Sequence, residues 1–264
     1  MAEPPIEFWV LQLAFAIGLL GIYAGWRGNI AKMTGFYDLS GAVRTLLFGL
    51  VSGGLAAWMI DLMLLANIRD SSLNIISVSV VALFIALAES SLALLILGRS
   101  RTVGLRACAP YGWTFGLGFG AIRSAHLNVR LFDQNVWEGT TGFTPLNIFL
   151  ACLLALTTCV GHASIASWQG SRLVEGERIR SLLPSTFSRA ALIIITVLTV
   201  FYPLTIALAV PIVAWSWFPA QESWLPSGLT PAAKQAYRRT LRQSDLHKSR
   251  AESRIRGETV KSDE

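Results

Sequence analysis

The sequence predicts an all-α fold: a polytopic transmembrane helical bundle of about six spans, within a range of five to eight. Three observations predict it. Hydrophobic residues make up 53% of the chain and charged residues 14%, whereas a soluble domain is about a quarter charged. Mean hydropathy is +0.53. Apolar runs recur at about the twenty-residue length that crosses a hydrocarbon core of about 30 Å. The third observation is the stretch Tyr111 to His126, YGWTFGLGFGAIRSAH. In water each interior glycine costs a helix roughly 1 kcal/mol relative to alanine. In a bilayer, Gly112, Gly116 and Gly120 form a smooth face that a second helix can approach closely. This glycine-zipper pattern marks the segment as the central helix of the bundle.

The first span runs from about Ile6 to Trp26, rimmed by Trp9, Tyr23 and Trp26 as interfacial aromatics. MAEPPIEF has no basic start and no evident cleavage site, so the run reads as an uncleaved first span. The second span, about Leu39 to Leu65, contains Gly49 and Gly53 as a small-residue packing pair and ends near Asp61. A tight polar turn is expected at Asn67 to Ser72. The third span, about Leu73 to Leu97, is interrupted by Glu89-Ser90-Ser91. A loop with Arg99, Arg101 and Arg106 leads to the glycine-rich fourth span, about Ala107 to Ala125. A mixed loop from Leu127 to Thr144 follows. The fifth span, about Pro145 to Trp168, carries Thr157, Thr158 and His162. The next loop holds Arg172, Arg178, Arg180 and Arg189. The sixth, about Ala190 to Trp217, contains Pro203 and Pro211 as expected kinks. Residues 1–218 thus form the bundle, and 219–264 form a basic, partly disordered soluble tail. Thr230-Pro231 begins a short helix there, ending near Arg242.

Six spans place both termini on one side. The short loops rich in Lys and Arg lie on the other, which the positive-inside rule makes cytoplasmic. That puts the termini outside, although the basic tail itself pulls towards the cytoplasm.

The net charge of +6 resides largely in the tail and loops. This argues against a nucleic-acid partner and for membrane lipid. Cys108, Cys152 and Cys159 read as small buried hydrophobes. GLGFG follows no strand and lacks phosphate-loop spacing, and no HExxH motif or serine elbow occurs. No metal or cofactor is implied.

Ionisable residues inside a span usually face the bundle interior and have a partner. Glu89 and His162 fit that description. Thr158 precedes His162 by four residues and shares its face, and Ser90 adjoins Glu89. If the third and fifth spans run in the same direction, the two lie about 12 and 9 Å from the basic-loop side, at 1.5 Å per residue. Equal depth allows them to meet. Arg123 and His126 end the fourth span as binding candidates, and Arg123 is placed to pair with Asp61 near the outer boundary.

In their order, ALAESSLALL, GLGFGAIRSAH and GHASIAS resemble the glutamic intramembrane protease superfamily that includes PrsW, the CAAX-processing enzymes and the YhfC group. The likeness covers about Leu83 to Trp168. It implies a membrane bundle in which Glu89 serves as general base on a water that His162 orients against a peptide bond. The chain departs from the pattern in four places. Ala88 and Ser90 flank a single glutamate, the following basic residue is missing, Phe119 replaces a histidine, and Arg123 replaces a glutamate. Three readings follow. The first is a degenerate protease-like protein that binds lipid or a transmembrane protein, or an intramembrane peptidase using Glu89 and His162. The second is a small transporter or proton-coupled permease. The third is a structural or assembly subunit of a membrane complex.

Overall fold

The computed structural model describes residues 6–66, 68, 74–137 and 139–255, with backbone alone for 244–255. Among the described residues there are helices and no strands. The main helices are α1 (Phe8–Gly28), α2 (Leu39–Ile60), α3 (Ile75–Leu97), α4 (Cys108–Phe132), α5 (Pro145–Val174), α6 (Arg178–Phe201), α7 (Ile206–Pro219) and α8 (Pro231–Ile255). The turn expected at Asn67 to Ser72 lies outside the described residues, except Ile68.

Side-chain caps start several of these helices where the sequence provides them. Asp38 accepts from the amides of Ser40 and Gly41 at 3.1 and 3.0 Å to begin α2. Asn74 does the same for α3. Thr144 caps α5 ahead of Pro145, whose missing N–H would have no intrahelical partner there. At the far end of α2 the chain widens into a π-helical turn, Asp61–Leu65.

Among the described residues, six helices are long and apolar enough to cross a membrane: Phe8–Met33, Leu39–Leu65, Ile75–Leu97, Pro145–Val174, Leu182–Phe201 and Pro203–Gly228. They are not the six read from sequence. The expected sixth span is two antiparallel helices, α6 and α7, broken at Tyr202-Pro203. Proline has no amide to donate and disfavours a helical residue before it, so the chain turns there. The Thr199 and Thr205 hydroxyls lie 3.0 Å apart across the break. The glycine-rich α4 is missing from the apolar six because its composition is too polar. It extends to Phe132, beyond the expected Ala125, and has 25 residues. At 1.5 Å per residue that is about 37 Å, enough to cross the core.

Nearly every residue of α4 from Cys108 to Ala125 is buried. It packs most extensively on α5, then on α2 and α1. A Cβ added at Gly120 would lie 2.6 Å from Cys159 Cα, and Gly112 and Gly116 meet the α5 backbone at Ala166 and Ala163 in the same way. Gly49 and Gly53 on α2 meet the α4 backbone at Phe115 and Phe119. Shallow faces on both partners let the backbones meet, so α4 is covered despite its polarity.

Counting α4, the chain crosses from end to end with each of α1 to α7. Trp9 packs on Phe143 at one end, with ring centroids 4.8 Å apart. Tyr237 of α8 packs on Phe36 at the other, at 5.6 Å. α8 therefore lies at the end of the bundle that carries the arginine-rich loops, opposite Trp9. It is also longer than expected, continuing past Arg242 to Ile255.

Tyr237 is 2% exposed, and burial pushes its hydroxyl from 10.0 up to about 12. The docked tail favours the neutral phenol. Its contribution is fully present below pH 10 and declines as pH rises through about 12. Ultraviolet titration of phenolate should lose one late-ionising tyrosine in Tyr237→Phe; an unaltered titration curve would refute this anchoring.

Candidate functional site

The interior of the bundle holds one chain of charged and polar side chains. Glu89 and Ser90 come from α3, Arg123 from α4, His162 and Gln169 from α5, and Arg189 and Thr196 from α6. Relative exposure is 5% for Glu89, 1% for Arg123, 1% for His162 and 2% for Arg189. Charged groups at such depth carry a penalty of several kcal/mol unless they find partners.

Arg123 is the centre. Its Nη1 lies 3.5 Å from Glu89 Oε1 and 2.8 Å from His162 Nε2. Its Nη2 donates to Thr196 Oγ1 at 3.4 Å. A guanidinium has donors and no acceptor, so His162 Nε2 accepts and the imidazole proton sits on Nδ1. The Phe119 ring lies against the imidazole, with centroids 4.8 Å apart. Glu89 Oε2 and Arg123 Nε are buried without a hydrogen-bond partner.

A second arginine continues the chain. Arg189 Nη1 donates to Ser90 Oγ at 2.8 Å and to Gln169 Oε1 at 3.1 Å. Gln169 Nε2 closes the ring by donating to the Ser90 carbonyl at 3.0 Å. Two guanidiniums therefore share one carboxylate among the described residues of this cluster.

The structure brings Glu89, Arg123 and His162 together, and it moves other candidates elsewhere. Arg123 does not pair with Asp61. That aspartate belongs to a separate cluster one end over, where Arg130 Nε donates to its Oδ1 at 2.9 Å and His126 Nε2 lies 3.4 Å away. The helix continues two turns past Arg123, so Arg130 is the arginine at boundary depth. Ser90 serves Arg189 rather than Glu89. Thr158 is buried with its hydroxyl unpartnered.

No known protein family, characterised protein or solved structure matches this chain.

Arg189, expected in a loop, belongs to α6, and the sequence reading does not single out Gln169 or Thr196. A signal existed for all three. Ser181, Ser185, Arg189 and Thr196 recur at helical spacing and are all buried, forming a polar stripe along one face of α6. Gln169 follows His162 by two turns on one helix face. A stripe of hydroxyls leading to an arginine resembles a loop in composition and an inward face in period.

A mostly apolar cleft lies elsewhere. It occupies about 400 Å³ between α5, α6 and α7, lined by Gly161, Ser164, Trp168, Ala191, Ala209 and Ile212 among others, and by none of Glu89, Arg123 and His162.

Proposed function

We propose that this is a non-catalytic membrane protein of the intramembrane-protease-like type, which binds an apolar membrane component in the cleft between α5, α6 and α7. One observation carries the reading: Arg123 Nη1 contacts both Glu89 and His162. A general base needs its carboxylate beside the water it deprotonates, within hydrogen-bond reach. Here the guanidinium stands between carboxylate and imidazole, and the lone pair of His162 is committed to it. The cluster works as a tie between α3, α4, α5 and α6.

The cleft suits the binding role. Its volume falls within the roughly 300–1,000 Å³ of small-molecule sites, and its walls are mostly aliphatic with Ser164, Ser188 and Ser216 as the polar exceptions. Ile212 on its α7 wall is 64% exposed, which in a bilayer means facing lipid. An acyl chain or one side of a transmembrane partner enters laterally.

Ala209→Trp fills the cleft from its α7 wall without touching the charged cluster. Lipid or partner retained through purification should fall by about tenfold or more, with thermal unfolding unchanged; full retention would refute the binding site. A peptide cut by the wild type, and left intact by a folded Glu89→Gln/Arg123→Gln double variant, would restore the peptidase reading.

A further inference from the structure

The structure assigns a second site, independent of the cleft. We propose that the groove between the end of α7 and α8 holds the phosphate-bearing headgroup of an anionic phospholipid.

The chain leaves α7 through the turns Ala220–Trp224 and Leu225–Gly228, and α8 then folds back beside it. Between them lies a groove of about 630 Å³, with Gln221, Glu222 and Ser223 on one wall and Lys234, Arg238 and Arg242 on the other. The three cations are spaced four apart, so they share one face of α8. Tyr237 and Leu241 line the groove as well, and their packing against the core of the bundle fixes which way that face turns. None of the three cations joins an ion pair among the described residues. Glu222 is the one carboxylate in the lining. The groove therefore carries excess positive charge, with the Gln221 amide and Ser223 hydroxyl beside it as neutral donors. That set suits a phosphate diester: cationic donors for its charged oxygens and neutral donors for the rest.

Depth selects the lipid over other anions. Trp215 and Phe218 on α7 are 67% and 63% exposed and belong to a helix that contacts lipid in a bilayer. The groove wall begins three residues after Phe218, about 5 Å further along the axis at 1.5 Å per residue. That is headgroup height. The same end of the bundle carries Arg99, Arg101 and Arg106, and clustered cations beside a span draw anionic lipid. An acidic protein segment would match the charge, but nothing in it would need the site at the membrane surface.

Native mass spectrometry of the full chain in a neutral detergent tests this, with phosphatidylglycerol and phosphatidylcholine offered together. Phosphatidylglycerol should be retained preferentially. Lys234→Gln/Arg238→Gln/Arg242→Gln should cut its retention by about tenfold, with phosphatidylcholine unchanged. Arg238→Gln alone should give a smaller loss in the same direction, and it serves if the triple variant does not fold. Equal retention of the two lipids would overturn the assignment, as would undiminished phosphatidylglycerol in a folded variant. Displacement by inorganic phosphate at equal concentration would also overturn it, and so would a stronger preference for a glutamate-rich peptide.

Discussion

Glu89→Gln should cost the folded bundle about 3–5 kcal/mol, the penalty for breaking a buried ion pair by removing one partner. The glutamine fits the space and keeps a hydrogen-bonding end, so packing is nearly unchanged. What goes is the one carboxylate among the described residues of this cluster, which holds Arg123 and Arg189, and a guanidinium keeps its positive charge. The cost therefore comes from stranded positive charge more than from the lost contact, whose 3.5 Å length is long for a strong pair. Reversible unfolding in mixed detergent micelles would measure it. Removing both partners, as Glu89→Leu/Arg123→Leu, should recover much of the loss, because similar-sized apolar residues often replace a buried pair at little cost. A Glu89→Gln protein that unfolds like the wild type would show the carboxylate to be dispensable.

Gly120→Ala should be the second large effect. The added methyl would lie 2.6 Å from Cys159 Cα and from the Thr158 carbonyl. Both are backbone, so neither can swing aside as a side chain would. Forcing α4 away from α5 should cost about 1–3 kcal/mol, as overpacking typically does, and valine should cost more. Gly104→Ala supplies the comparison, since its Cβ would meet nothing within 4 Å and alanine favours helix. Equal stability of the two alanine variants would mean that the α4–α5 seam tolerates separation. Because His162 and Arg123 meet across that seam, the Gly120 variant should also weaken their hydrogen bond.

The sequence makes some of this arrangement legible and hides the rest for identifiable reasons. Glu89 and His162 stand out because an ionisable group in a long apolar run is costly, whatever surrounds it. The rotation of their helices is not encoded locally, so Arg123 as their common partner could not be read. Its nearness to the end of the apolar run suggested boundary depth, but α4 continues to Phe132 and moves that boundary to Arg130. Arg189 was hidden for the opposite reason: Arg178, Arg180, Pro184 and Ser188 nearby have the composition of a loop. Only the period of Ser181, Ser185 and Arg189 identifies a helix face. The break at Pro203 looked like a kink because the residues on both sides are equally apolar, and proline alone does not distinguish a bend from a reversal.

The polarity of α4 also constrains how the protein is made. A newly synthesised helix carrying Arg123, His126, Asn128 and Arg130 gains little from lipid on its own, since each arginine at a bilayer centre adds about 2.5–3.5 kcal/mol to insertion. α4 therefore has to wait at the translocon for α5, whose small-residue face and His162 give it somewhere to go. The order of synthesis supplies that partner next, across a connection of only twelve residues.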